Sequence, residues 1–338
     1  MKPLAIVSVA VLSLATLLSL RATSADKPLV GAVPPEIDAA GWINHVGPAP
    51  TLASLKGQTV LIEFWATWCA PCVAAWPHLQ ELHDEYESRG LVILGLSEEA
   101  ADKVSPFVNE NGYTARIAYG STTKGKYGVN GIPATFLVGP DGKLAWSGHP
   151  SELNDSVLEA ALKGAKPRAG GILGFAPATA AEGRVAQQVK LVEEGKLGKA
   201  LAALTAFAQD TTASDGEKAA AAALTVEIEG YVAALMSQSE RHLKSLNVLR
   251  AVNTYESIAK EFGAAQLGAD AKSKLDAIKA DEKLSRELAA AEAFQKTKDS
   301  AAKLKGAKAR DKWAEFAQKY KGTRAAERAT ALARAPKN

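Results

Sequence analysis

Between residues 26 and 165 the apolar positions alternate between the unbroken runs of buried strands and the three-to-four spacing of helices. Thr59–Trp65 (TVLIEFW) is an uninterrupted run rich in β-branched residues and too short for a helix, so it predicts a buried strand. Ala75, Leu79, Leu82 and Tyr86 then recur at i, i+4, i+7 and i+11, the stripe of an amphipathic helix, which Gly90 ends. Leu91–Leu96 (LVILGL) predicts a second buried strand and residues 100–111 a polar helix. Ala134–Gly148 predicts a hairpin turning on Pro140-Asp141-Gly142, and Asp155–Lys163 a last helix. The order β-α-β-α-β-β-α predicts a compact α/β layer fold over residues 26–165.

Residues 166–180 concentrate Gly, Pro and Ala without a helical stripe and predict a linker. Residues 181–338 contain no proline before Pro336 and are rich in Ala, Lys and Glu, the composition of an all-α domain. Within them Ala251, Tyr255, Ile258, Ala259 and Phe262 match Ala309, Trp313, Phe316, Ala317 and Tyr320 at a constant offset of 58. Ala200, Leu204, Phe207 and Ala208 repeat the first part of the pattern. Aromatics at this spacing predict core faces buried between stacked helical hairpins. The region resembles tetratricopeptide-like helical repeats, although its spacing departs from their regular period of about 34 residues, and a plain bundle is the alternative.

At the start of the chain, Lys2 precedes the uncharged run Pro3–Leu20, followed by Arg21 and the small residues Ala22-Thr23-Ser24-Ala25. These are the parts of a secretory signal peptide over residues 1–25. The alternative is a retained membrane anchor, which Ser8, Ser13, Thr16 and Ser19 weaken. Either way the expectation is export to a periplasmic or other extracytoplasmic compartment, where disulfides persist. No other segment reads as a membrane span.

A chain of 338 residues, 47% hydrophobic and 23% charged, is long enough for two domains and too apolar for global disorder. Its net charge of +3 excludes a strongly basic nucleic-acid binder, but the charge is uneven. Residues 26–165 carry 9 Lys+Arg against 16 Asp+Glu, a balance of −7, and residues 166–338 carry 29 against 21, a balance of +8. The basic half is either a set of solvated helix faces or a surface for an acidic protein partner or membrane.

Cys69 and Cys72 are the only cysteines, which excludes a disulfide-framework scaffold and a zinc site built on two cysteine pairs. They follow a predicted strand and open a helix, where unpaired N–H groups and the macrodipole favour a thiolate. Cys69 is the expected nucleophile. Cys72, one turn deeper, is placed to attack a mixed disulfide on Cys69, and Pro71 suits the first turn. His78 and His83 lie on the same helix, but His83 is eleven residues from Cys72, about 16 Å along the axis at ~1.5 Å per residue, so one ion cannot join them. Both histidines read as surface or helix-border residues, and no metal is expected.

The stretch Glu63-Phe64-Trp65-Ala66-Thr67-Trp68-Cys69-Ala70-Pro71-Cys72, with Pro77 and the later Gly131-Ile132-Pro133-Ala134-Thr135-Phe136, resembles the thioredoxin superfamily. The Trp-Ala-Thr-Trp-Cys wording, the export signal and Ser54-Leu55-Lys56-Gly57 are similar to its exported TlpA/ResA-like branch. The resemblance covers about residues 30–165 and implies a central mixed sheet flanked by helices. It implies further that Pro133 is a cis-proline facing the disulfide, that Ile132 offers backbone hydrogen bonds to an extended substrate beside Trp68, and that Glu63 is a buried acid serving Cys72. Desolvation within VLIEFW would raise the pKa of that acid, whereas a structural carboxylate with a nearby donor is the competing reading. The lysine that thioredoxins place near the acid has no counterpart in Leu91–Ser97.

The reading as a whole is an exported thiol-disulfide oxidoreductase whose only redox group is the Cys69–Cys72 pair. Its partners would be protein thiols or disulfides and an upstream electron donor or acceptor, with the helical half making partner contacts. A scaffold or peptide-binding protein and a peroxiredoxin-like reductase are the rival classes.

Overall fold

The computed structural model describes residues 27–167, 170–179, 183–301, 303–304 and 306–334. The predicted signal peptide lies outside the described residues.

The first region is a six-stranded mixed sheet in the order β1-β4-β3-β2-β5-β6. Its strands are β1 (Gly41–Ile43), β2 (Thr59–Phe64), β3 (Leu91–Leu96), β4 (Arg116–Tyr119), β5 (Ala134–Val138) and β6 (Leu144–Gly148). β2, β3 and β4 run parallel through the crossover helices α1 (Ala70–Tyr86) and α2 (Ala101–Asn111), while β5 returns antiparallel beside β2. β2 and β3 are buried at every position, which explains why they read as continuous apolar runs. On one face Leu61, Ile93, Ile117 and Leu137 pack under α1, α2 and α4 (Asp155–Ala161). On the other, Val60, Ile62, Phe64 and Phe136 enclose Tyr127, which follows the short α3 (Thr123–Lys126).

The expected strands, helices and hairpin are present, and two strands are additional. β1 and β4 have three and four residues, too short to show a period, and they pair with each other at the sheet edge. One expectation fails. His83 is not a surface or border residue: Cys72, Trp76, Leu79, His83 and Tyr86 form the buried stripe of α1, and His83 is only 4% exposed. His78 is exposed.

The second region holds eight helices among the described residues: α5 (Ala186–Glu193), α6 (Leu197–Gln209), α7 (Asp215–Lys244), α8 (Val248–Phe262), α9 (Gln266–Ala280), α10 (Glu282–Ala301), α11 (Ala307–Lys319) and α12 (Arg324–Arg334). The internal similarity has a structural counterpart. α9 starts at 266 and α12 at 324, again 58 apart, and α6 and α7 start 51 residues before α8 and α9. Tyr255, Ile258 and Phe262 are buried in one core, and Trp313 and Phe316 in another around Phe294. Ser214 opens α7 with a capping box to Glu217. Although α7 is long and apolar enough to cross a membrane on length and composition, its stripe Leu224, Ile228, Tyr231, Val232 and Leu235 is buried in the helical core. Leu173 and Phe175, from the expected linker, enter the same core, Phe175 stacking on Tyr231 with ring centroids 4.2 Å apart.

The two regions meet along the C-terminal end of α1. Asp84 pairs with Arg328 at 3.1 Å, Glu85 with Lys298 at 2.7 Å and Glu87 with Arg250 at 2.6 Å. Arg324 donates to Ser245 O at the end of α7 and to Asn111 O at the end of α2, at 2.5 and 3.0 Å, so one guanidinium serves the negative ends of two helices. Asn247 adds a bond to Gly112 O at 2.7 Å. The acidic first half and the basic second half thus neutralise each other in part within the chain.

Tyr255 is fully buried and its hydroxyl has no hydrogen-bond partner among the described residues. Tyr255→Ala is therefore expected to cost about 3–5 kcal/mol through the cavity it leaves. Tyr255→Phe should change stability by less than about 0.5 kcal/mol, since no bond is lost. Urea unfolding of the full chain measures both.

Candidate active site

Cys69 is the N-cap of α1, with an extended backbone that turns the chain out of β2 into the helix. Its Sγ accepts a hydrogen bond from the Cys72 N–H at 3.3 Å, and Pro71 occupies the first turn, where a missing N–H costs nothing. The two cysteines form a disulfide with Cα atoms 5.2 Å apart. Cys69 and Cys72 are both buried, whereas Trp68 beside them is 74% exposed and marks the open side of the site. The same N–H groups and helix dipole would stabilise a thiolate at Cys69 once the bond is reduced.

The Ile132–Pro133 peptide is cis. It leads directly into β5, whose pairing with β2 sets Ala134 opposite Phe64 and Thr135 opposite Glu63. Antiparallel register therefore brings Gly131–Thr135, more than sixty residues away in sequence, against the strand that delivers the cysteines. Ile132 O lies 3.8 Å from Cys69 Sγ. Ile132 and Trp68 both line a shallow pocket beside the disulfide, with Trp65, Glu98, Glu99 and Lys124.

Glu63 shares its face of β2 with Leu61, the face that α1 covers, and is 1% exposed. Thr135 Oγ1 donates to Glu63 Oε2 at 2.5 Å, and Oε1 has no partner among the described residues. Burial pushes the carboxyl up to about 8, outweighing the Thr135 bond that lowers it. A carboxylic acid at neutral pH is thus enclosed beneath the cysteine-bearing helix. On β3 the residue in register with Glu63 is Gly95, where any Cβ would stand 2.6 Å from the Trp76 ring and 3.1 Å from Trp65 Nε1. The side of the acid where thioredoxins carry a lysine is occupied here by indoles.

Glu99 escaped the sequence reading. Its carboxylate accepts from the Thr67 N–H at 2.6 Å and from Thr67 Oγ1 at 2.7 Å, with Ser97 Oγ at 3.2 Å. It fastens the turn that carries Trp68 and Cys69 to the end of β3. Glu98, next to it, pairs with Lys124 at 2.9 Å. The only sequence signal was two adjacent acids directly after a buried strand. Among the described residues, no three His, Cys, Asp or Glu side chains converge as a metal site would require.

Glu63 yields a pH prediction. Its folded value of about 8 lies above the ordinary 4.5, so between those limits the folded protein holds a proton that the unfolded chain releases. Stability therefore falls as pH rises through this window. Relative to the parent, oxidised Glu63→Gln should gain up to about 1.4 kcal/mol for each pH unit from roughly pH 5 to 8. Urea midpoints at successive pH values test this, and a constant difference would mean that Glu63 is ionised in the fold.

Comparison with known proteins agrees with this geometry. Residues 30–147 match the model of the AhpC/TSA family. Over 96 residues the chain is 38% identical to the thiol-disulfide oxidoreductase ResA of Bacillus thuringiensis, covering 28% of this chain and 56% of that protein. It is 32% identical over 96 residues to ResA of Oceanobacillus iheyensis, covering 28% and 50%. It is also 28% identical over 126 residues to ResA of Halalkalibacterium halodurans, covering 36% and 71%. The chain spans about half the length of the first two of these relatives, and none of the three matches reaches across the helical region. The first region is thus similar to the AhpC/TSA family over residues 30–147 and to ResA over a shorter stretch, and in this chain a separate helical region follows it.

Proposed function

We propose that the chain is an exported thiol-disulfide oxidoreductase acting on protein thiols or disulfides. One observation carries the reading: a disulfide at a helix N-terminus lies against a cis-proline segment, with a protonated acid buried beneath the helix. In the oxidising direction a client thiolate attacks Cys69 Sγ, the Cys69–Cys72 bond breaks, and Cys72 leaves as a thiolate that takes the proton of Glu63. A second client thiolate then attacks the client sulfur of the mixed disulfide, releasing a client disulfide and reduced Cys69. The reducing direction reverses each step: Cys69 attacks a client disulfide, and Cys72, deprotonated by Glu63, resolves the mixed disulfide. No redox group beyond the cysteine pair is needed, and an upstream thiol or disulfide partner resets it. Trp68 and the Ile132 backbone provide the surface for an extended client segment.

The leader-like segment Pro3–Leu20 and the disulfide both support export, with a retained anchor as the other use of that segment. The helical region supplies partner contacts, its net positive charge suiting an acidic protein.

Reduced protein should turn over insulin disulfides, and Cys69→Ser should abolish that activity. Cys72→Ser should accumulate clients bound through Cys69, and Cys69 should alkylate faster than Cys72 with a pKa below about 8.5. Hydroperoxide turnover without insulin turnover would favour a peroxiredoxin-like reductase. Absence of both in a folded protein would favour a scaffold.

A further inference from the structure

The boundary between the two regions is polar in a way that a permanent core is not. Of the first region's apolar side chains, Val46 alone among the described residues packs against the helical core. Ion pairs and backbone caps supply the rest of the contact. Inter-domain boundaries of this composition open and close more readily than apolar ones. At the centre of this one are two imidazoles, His83 from α1 and His242 from α7, both about 95% buried. They line a single cleft with Arg250 and Arg116. Among the described residues both ring nitrogens of His83 lack a hydrogen-bond partner, and Glu87 Oε2 lies 3.9 Å from Nε2.

We infer that this boundary is an acid-opened joint, in which protonation of His83 and His242 releases the helical region from the C-terminal end of α1.

The groups around the pair decide the direction. His83 faces Asp84 on its own helix, Glu87 at that helix's C-cap, Arg250 on α8, Arg116 on β4 and His242 on α7. His242 faces Arg241 on α7, Arg250 on α8, His83 on α1 and Glu87 at the C-cap of α1. Burial first, and then Arg250, depress both imidazoles, His83 to about 4 and His242 to about 3, against the pull of Glu87. Burial alone would raise Glu87, but the Arg250 guanidinium holds it down to about 2. Glu87 therefore stays ionised well below the pH at which free imidazoles charge, and the drive to protonate the histidines on release acts before it is neutralised. Both folded values lie below the ordinary 6.5, so docking is fully favoured above that pH and weakens as pH falls beneath it. At pH 5 the docking equilibrium should fall by about thirtyfold for each histidine.

The full chain tests this in solution scattering from pH 7.5 to 4.5, with far-UV circular dichroism as a check that helices persist. The expected result is a rise in radius of gyration between pH 6.5 and 5 at constant helicity, with the midpoint shifted lower by His83→Gln or His242→Gln. The double variant should stay compact at pH 5. If the double variant is already expanded at pH 7.5, the two single variants decide. Unchanged midpoints in both would overturn the inference, as would expansion of the double variant at the parent's midpoint, or no expansion of the parent before it unfolds.

Discussion

Trp76 is the contact on which the rest of the structure depends. It is fully buried, its ring filling the hollow above Gly95, edge-on to Trp65 at 5.1 Å and stacked on Tyr113 at 5.3 Å. Aromatic contacts of this kind contribute beyond the area they bury, and here they fix both the height and the rotation of α1 on the sheet. From that fixed point the helix extends in two directions. Its first turn presents the disulfide, and its last turn receives the helical region. A side chain on β3 at position 95 would displace the indole and disturb both ends at once.

The electrostatics follow from the same helix. Each exposed pair along the boundary is individually worth about 0–1 kcal/mol, so Asp84, Glu85 and Glu87 select an orientation more than they hold it. Arg324 differs, because its bonds go to carbonyls at helix ends that would otherwise lack partners. Removing it would leave those acceptors without a donor in a partly buried setting, which costs more than losing a surface pair. Within the first region the strongest electrostatic departure is burial: among the described residues Glu63 has one hydroxyl donor and no cation beside it.

The sequence shows most where chemistry is local. Cys69, Pro71 and Cys72 could be placed on a helix start because strand, turn and stripe are contiguous, and the buried acid could be foreseen because Glu63 interrupts an apolar run. Pro133 came through family resemblance, since nothing local distinguishes a cis bond. The offset between Tyr255 and Trp313 was visible because repeated faces leave repeated spacing. β1 and β4 were not visible, because three or four residues carry no period and their pairing is set across the sheet. Glu99 acts through Thr67, 32 residues back, and only the folded path of the chain brings them together. His83 was misread because part of what surrounds it, His242 on α7 and Arg250 on α8, lies more than 150 residues later.

Arg324 also bears on the order in which the molecule can be completed. Its bond to Gly112 O spans 212 residues, and its bond to Asn111 O spans 213. A chain that emerges from its N-terminus must therefore assemble the sheet, α1 and most of the helical stack before the clasp between α2, α7 and α12 can close. Throughout that interval both cysteines are already present to meet a thiol. Oxidation of the pair can thus precede closure of the clasp between the two regions.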